Sequence, residues 1–266
     1  MCLFLEKTIL LTDQYDVCMD FLFEPTLPYT NFGAYHFVPI FIIGAIGYFI
    51  IKWAMKLPEN QQWRVLFLLS MFPFASVLAR MILTYVEGTF TIKDELPFHL
   101  CRTLALVLPI LVWKRNIFWL NVFYFLIICG TLQAIITADL QYLPPHYSYF
   151  IYWVTHVGLV VLPIYWTIVL KITPTLRHLK MAVIAGNVYL VFALIINKVL
   201  GSNYFYVSEK PPGGSILDLF GPWPTYIFVV ECIALILFVA AFLPFIKSKK
   251  SQEIGVFIEN SDRTVS

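Results

Sequence analysis

Two residues of this chain, Cys101 and His156, have side chains that together could perform nucleophilic catalysis. Pro97 suits the first turn of a helix, so Cys101 is predicted to lie about one turn in, near the positive end of the helix dipole. That position and the adjacent Arg102 favour the thiolate, whereas apolar burial opposes it. His156 lies on a later apolar segment and is the predicted general base. Such a pair would support covalent acyl transfer or hydrolysis.

The alternative for Cys101 is that it is an ordinary small residue of a membrane helix. We adopt that interpretation for Cys129 and Cys232, which lie inside apolar segments without comparable neighbours. The cysteines form no CxxC pair, and the chain contains no HExxH, GxSxG, P-loop or Rossmann glycine pattern. We therefore expect no metal site and no cofactor.

The elements that position these residues are predicted to be membrane helices. The chain is 60% hydrophobic and only 13% charged, whereas soluble domains carry about 25% charged residues. A spanning helix needs about 20 mostly apolar residues. The sequence predicts an all-α, polytopic membrane helical bundle with seven transmembrane helices, at residues 35–55, 63–85, 96–113, 117–136, 149–170, 181–200 and 225–246.

The distribution of Lys and Arg predicts the orientation of the bundle. Twelve of these 18 residues lie in the loops of one side or in the C-terminal tail, and four, Lys7, Lys93, Lys198 and Lys210, lie on the other side. The N-terminus is therefore predicted outside and the C-terminus cytoplasmic. This divides the chain into an outer lead-in at 1–34, a transmembrane domain at 35–246 and a cytoplasmic tail at 247–266. We expect a multi-pass protein of the cell membrane in a bacterium, or of an endomembrane in a eukaryote.

Polar residues within the predicted spans lie near their outer ends. At about 1.5 Å per residue, each lies within roughly 10 Å of the outer boundary, and ionisable groups at such depth usually face a bundle interior or a wet cavity. Arg80 or Arg102 could hold an anionic headgroup or an oxyanion. Either could equally be half of a buried pair with Glu231 or Asp139.

The predicted outer loop 201–224 is rich in Gly and Pro, yet it contains many apolar residues. Long irregular loops in compact proteins are usually functional or disordered, and this one is too apolar for disorder. We expect it to form a lid over the outer polar layer.

Several of these elements, in this order, resemble the YwaF-like integral membrane family, which includes the eukaryotic transmembrane protein 164. The resemblance rests on Arg80, Leu96-Pro-Phe-His-Leu-Cys101, Gly130 with Gln133, His156, Asn203-Tyr204, Lys210-Pro211 and Leu217-Asp218-Leu-Phe-Gly221-Pro-Trp-Pro224. Thr225 departs from the bulkier aromatic residue of many relatives. The resemblance implies a compact helical bundle and, from the eukaryotic branch, an ether-phospholipid acyltransferase. It further implies that Cys101 is the acyl-carrying nucleophile and His156 its partner.

The function that we expect is a membrane-embedded, cysteine-dependent phospholipid acyltransferase or lipid hydrolase. The alternatives are a transporter with an outer vestibule and a non-catalytic scaffold. Membrane lipids are the expected partners, and the chain has no basic stripe for nucleic acid. The predicted substrate-binding residues are Arg80, His99, Arg102, Gln133, Asn197, Asn203, Tyr204, Lys210, Trp223 and Glu231.

Overall fold

The computed structural model describes residues 21–24, 26–211 and 215–263, with side chains described as far as residue 246. Most of the predicted lead-in, residues 1–20, lies outside this part of the chain, as do residues 212–214 of the predicted lid. The tail that follows Ile246 continues the last helix as far as Arg263.

Besides a short helical stretch at residues 21–23, the described part of the chain contains seven α-helices, and it contains no β-strand. They are α1 (Ala34–Ala54), α2 (Glu59–Glu87), α3 (Leu100–Trp113), α4 (Ile117–Ile136), α5 (Tyr147–Ile168), α6 (Leu176–Leu200) and α7 (Thr225–Arg263). Two 3-10 turns, Tyr204–Tyr206 and Ile216–Phe220, lie between α6 and α7. Six helices are long and apolar enough to cross a membrane, and α3 is a shorter apolar helix. The predicted all-α bundle is therefore confirmed, with six to seven spans.

The start of α3 differs from the prediction. We expected Pro97 in its first turn, but α3 begins at Leu100. Thr103 Oγ1 donates to the carbonyl of Pro97 at 2.6 Å, and Tyr189 Oη donates to that of Phe98 at 2.8 Å. Because side chains occupy these carbonyls, the segment before Leu100 is an ordered turn rather than a helix. Cys101 is consequently the second residue of α3, closer to the N-terminus than expected.

Helix α5 lies at the centre of the bundle and packs against α1, α2, α3 and α4, while α4 also contacts α6 and α7. Gly47 lets α1 approach α5 closely, because a Cβ at this position would lie 2.8 Å from Val161 Cγ1. The helices alternate in direction. The starts of α1, α3, α5 and α7 and the ends of α2, α4 and α6 therefore share one end of the bundle, here named the polar end.

The opposite end of the bundle contains most of the apolar core. Its fully buried side chains include Leu66, Leu108, Leu120, Leu162 and Trp166. The outside of the bundle is also apolar, with exposed residues such as Phe41 and Phe49 on α1. Large exposed apolar surfaces are typical of interaction with a membrane.

Candidate functional site

Cys101 lies at the polar end, half-buried, where α3 meets α4. Its Sγ is 3.7 Å from Oγ1 of Thr131, which is fully buried in α4. No other side chain caps this end of α3, since the N-cap residue His99 makes no capping hydrogen bond. The thiol therefore lies in the first turn of α3, at the positive end of the helix dipole, which favours a negative charge on sulfur, whereas its burial opposes that charge.

The imidazole of His156 is oriented by a hydrogen bond within its own helix, α5. Its Nδ1 lies 2.8 Å from the carbonyl oxygen of Tyr152. A carbonyl oxygen only accepts, so Nδ1 carries the proton and Nε2 has a free lone pair. The Tyr152 ring covers one face of the imidazole, with 4.1 Å between ring centroids. The Tyr152 hydroxyl is fixed in turn by donating to the carbonyl of Ala134 at 2.6 Å.

The polar end thus contains both members of the predicted pair, on two helices that pack against each other. No hydrogen bond joins their side chains in the described structure, where Cys101 contacts Thr131 instead. Tyr152 and Thr131 were not among the predicted site residues. The position of Tyr152 one turn before His156 was the sequence signal that could have identified it.

His99 has the opposite tautomer to His156. Its Nδ1 accepts a hydrogen bond from the backbone N–H of Phe205 at 3.4 Å, so its proton is on Nε2. The ring lies between Tyr204 and Tyr206, with centroids 5.4 Å from each. His99 therefore connects the residues just before Cys101 to the loop that follows α6.

Arg80 and Arg102 share one carboxylate, that of Glu95. Arg80 donates to both oxygens of Glu95 at 2.7 Å, and Arg102 Nη1 lies 3.5 Å from Glu95 Oε2. Arg102 also donates to the backbone carbonyl of Asp94 at 2.9 Å. The structure therefore pairs the arginines with the carboxylate of Glu95 and not with Glu231 or Asp139, the partners suggested from the sequence. Glu95, which is 6% exposed, was missed because it lies in a loop between two spans.

The loop after α6 reaches across the polar end to the α4–α5 connection. Tyr206 donates a hydrogen bond to the carboxylate of Asp139, and its backbone carbonyl accepts one from Tyr226 Oη at 2.8 Å. Burial, with the nearby negative charge of Asp139, raises the pKa of the Tyr206 phenol, so its hydroxyl remains a donor at neutral pH. The loop is therefore attached at two points above α4 and α7.

The predicted substrate-binding residues of this loop and of the α6 terminus use their polar groups to build the loop itself. Tyr204, fully buried, donates to the carbonyl of Ile92 at 2.6 Å. Asn197 bonds both backbone groups of Tyr204, and Asn203 accepts from the backbone of Ser208 and Glu209. Trp223 Nε1 donates to the carbonyl of Val207 at 3.1 Å, and Lys210 lies 3.6 Å from Asp218.

Gln133 and Glu231 differ from the rest of the predicted set. Gln133, half-buried near the end of α4, makes no side-chain hydrogen bond with any described residue, so its amide is available to a ligand. Glu231 accepts from Asn187 Nδ2 at 3.2 Å, on the outer side of α6 and α7. The structure therefore pairs Glu231 with a residue of the neighbouring helix and does not bring it to the arginines.

Comparison with known proteins gives one match. A family model described as the TMEM164 family matches residues 31–242, which include all of α1 to α6 and the first part of α7. No curated protein and no solved structure matches the chain.

Proposed function

The chain belongs to the TMEM164 family, and from this premise we propose that it is a membrane-embedded phospholipid acyltransferase that uses Cys101 as nucleophile and His156 as general base. The observation that carries the proposal is the hydrogen bond between His156 Nδ1 and the Tyr152 carbonyl. Because Nδ1 donates to the Tyr152 carbonyl, Nε2 is the basic nitrogen of His156. His156 lies at the same end of the bundle as Cys101, the only cysteine of the described chain near a helix N-terminus. Both features suit thiol activation.

The proposed reaction has two steps. His156 Nε2 takes the proton of the Cys101 thiol, and the sulfur attacks the carbonyl carbon of a phospholipid ester. The tetrahedral intermediate collapses with cleavage of the ester C–O bond. His156 returns the proton to the departing oxygen, which leaves a lysophospholipid and a thioester at Cys101. In the second step an acceptor hydroxyl, deprotonated by His156, attacks the thioester, and the thiol recovers its proton.

This mechanism requires His156 Nε2 to come within hydrogen-bond distance of Cys101 Sγ during the reaction. Catalytic hydrogen bonds are often long before substrate binds and shorten in the substrate complex. Tyr152 supports the orientation, because it fixes both the tautomer and one ring face of His156. Thr131 supports the position of the Cys101 sulfur by contacting the thiol.

We assign binding of the phosphate headgroup to Arg102. Arg80 occupies both oxygens of Glu95, whereas Arg102 has a longer contact of 3.5 Å to that carboxylate and a backbone carbonyl as its other partner. Two guanidinium groups that share one carboxylate leave an excess positive charge, which attracts a phosphate. Gln133, with its free amide, is the second group that we assign to the substrate.

The transporter alternative lacks comparable support. A transport path would need polar groups through the opposite end, and the buried side chains described there are mostly apolar, with Asn121 as an exception. A scaffold would not need a basic histidine and a thiol at the same end of the bundle. We also propose that the polar end faces outside, on the basis of the Lys and Arg distribution.

The proposal is tested by searching for the thioester. The protein in phosphatidylcholine vesicles should carry a hydroxylamine-sensitive acyl adduct on Cys101 by peptide mass spectrometry, and lysophosphatidylcholine should accumulate. Cys101→Ala should lose both signals. Cys129→Ala is the matched control, because Cys129 is buried in α4 away from any helix N-terminus, and it should retain both. Lipid turnover that survives in Cys101→Ala would remove the acyltransferase assignment.

A further inference from the structure

An apolar groove of about 460 Å³ lies on the outer surface of the bundle, between α4 and α6. Trp119 of α4 forms one wall, and α6 residues between Met181 and Phe192 form the other. Its volume is within the range of about 300–1,000 Å³ that ligand pockets occupy. In a protein that crosses the membrane, this groove faces the hydrocarbon of the bilayer.

The length of the groove matches one acyl chain. Met181 and Phe192 are eleven residues apart on α6, a distance of about 16 Å along a helix. Half of the hydrocarbon core of a bilayer is about 15 Å thick, so one acyl chain has about the length of the groove. The lining residues Ile184, Ala185 and Val188 follow each other at helical spacing and form one continuous apolar strip.

One end of the groove reaches the residues that flank the start of α3. Tyr189 lines the groove, and its hydroxyl donates to the carbonyl of Phe98 at 2.8 Å and lies 2.7 Å from Thr103 Oγ1. Phe192 packs edge-on against Phe98, with ring centroids 5.6 Å apart. Phe98 and Thr103 lie on either side of Cys101 in the sequence, so the groove ends beside the segment that carries the thiol.

We propose that this groove binds the acyl chain of the glycerophospholipid whose ester reacts at Cys101. The inference rests on the proposed function and specifies how the substrate is held. An amphiphile fits the arrangement, because Phe192 at one end of the groove packs against Phe98, in the segment that leads into α3 at the polar end. The ester would lie at the level of Cys101 and the chain would run along α6 towards Met181.

A transmembrane helix of a partner protein fits the groove less well. Helices that associate in membranes approach through small residues. Ala182 and Gly186 of α6 face the bundle, since Ala182 is fully buried and a Cβ on Gly186 would lie 3.8 Å from Leu126, and Ala185 is the one small residue among those that line the groove. The groove side presents the branched residues Ile184 and Val188, which are 55% and 64% exposed.

The experiment uses phosphatidylcholine that carries a photoreactive diazirine on its acyl chain. The full-length protein in dioleoyl phosphatidylcholine vesicles doped with this probe is irradiated, and adducts are mapped by mass spectrometry. Adducts on residues 181–192 should exceed severalfold those on residues 41–49 of α1, an equally exposed apolar surface. Equal adducts on both segments would show ordinary lipid contact and overturn the inference.

Filling the groove gives the second test. Ala185→Trp or Val188→Trp should reduce the adducts on residues 181–192 to the level of α1. Val199→Trp is the matched control, because Val199 is 73% exposed on the same helix beyond the groove, and it should change nothing. Unchanged adducts in both groove variants would overturn the inference.

The two proposals can fail separately. Concentrated adducts in the wild-type protein and in Cys101→Ala, without any thioester, would support the groove as a phospholipid site and overturn the acyltransferase. A thioester on Cys101 together with evenly distributed adducts would support the acyltransferase and overturn the groove.

Discussion

The two ends of the bundle are held together by different interactions. At the opposite end, large side chains such as Leu108, Leu120 and Leu162 are fully buried against one another. At the polar end, buried polar groups such as Glu95 and Asn197 bond to arginines and to the loop backbone. An unpaired polar group is costly in an apolar environment, so nearly every such group at the polar end has a partner. His146 Nε2 and Trp153 Nε1 are buried atoms at this end without a hydrogen-bond partner. His156 Nε2 and the half-buried Gln133 amide, which we assign to the reaction and to the substrate, also make no hydrogen bond with any described side chain.

Of the substitutions that test this difference between the two ends, the one at His156 should have the largest effect. His156→Ala should slow formation of the Cys101 thioester by about 10²–10⁴-fold, the usual effect of removing a general base. His178→Ala is the control, because His178 caps the start of α6 at the opposite end and lies far along the chain from Cys101. It should leave the rate per folded molecule unchanged. Equal rates in wild type and His156→Ala would assign the base to another residue.

Leu162→Ala tests the apolar end. Leu162 is 1% exposed, and truncation of a buried leucine costs about 2–5 kcal/mol of unfolding free energy through lost burial and a residual cavity. Thermal unfolding in detergent should show a marked decrease in Tm, with normal thioester formation by the protein that remains folded. Ile164→Ala, at a position 39% exposed on the same helix, should cause a much smaller decrease. Similar decreases in both variants would mean that Leu162 is not a core residue.

Glu95→Gln tests the polar end without changing its shape. The amide cannot neutralise Arg80 and Arg102, and loss of one partner of a buried bond costs about 1–3 kcal/mol. A lower Tm is expected, with a higher apparent affinity of Arg102 for phosphate because its competing carboxylate is removed. Asp94→Asn is the control, because the Asp94 carboxylate contacts only Thr91 among the described side chains. This variant should leave the Tm nearly unchanged. An unchanged Tm in Glu95→Gln would exclude a structural role for the ion pair.

Tyr206→Phe should have the smallest effect. It removes the hydrogen bond to Asp139, worth about 0.5–1.5 kcal/mol, while the ring can still pack on His99. Amide hydrogen exchange of residues 203–208 should become faster, with little change in global Tm. Tyr85→Phe, at a side chain 75% exposed, serves as the control and should leave exchange of the loop unaltered. Unaltered exchange in Tyr206→Phe would show that this contact does not hold the loop.

Much of the fold could be predicted because hydropathy is a local property of the chain. The seven apolar segments correspond to α1–α7, and the order of polar residues near their ends placed Arg80, Cys101 and His156 at one end of the bundle. The start of α3 was mispredicted because it depends on Thr103 and Tyr189, and Tyr189 comes from a helix more than 80 residues later. Glu95 was missed for a related reason, since its burial depends on two arginines that the chain brings together only when α2 and α3 pack.

The sequence by itself determined the membrane class, the number of helices and the residue types available for chemistry, because each depends on composition and local spacing. Tertiary structure decided which of those residues meet. Only the packing of α3 on α4 puts Thr131 beside the Cys101 thiol, and only the folded loop brings Phe205 to His99. Hydrogen bonds are short and directional, so partners distant in the chain are selected by the way the helices pack, which hydropathy does not encode.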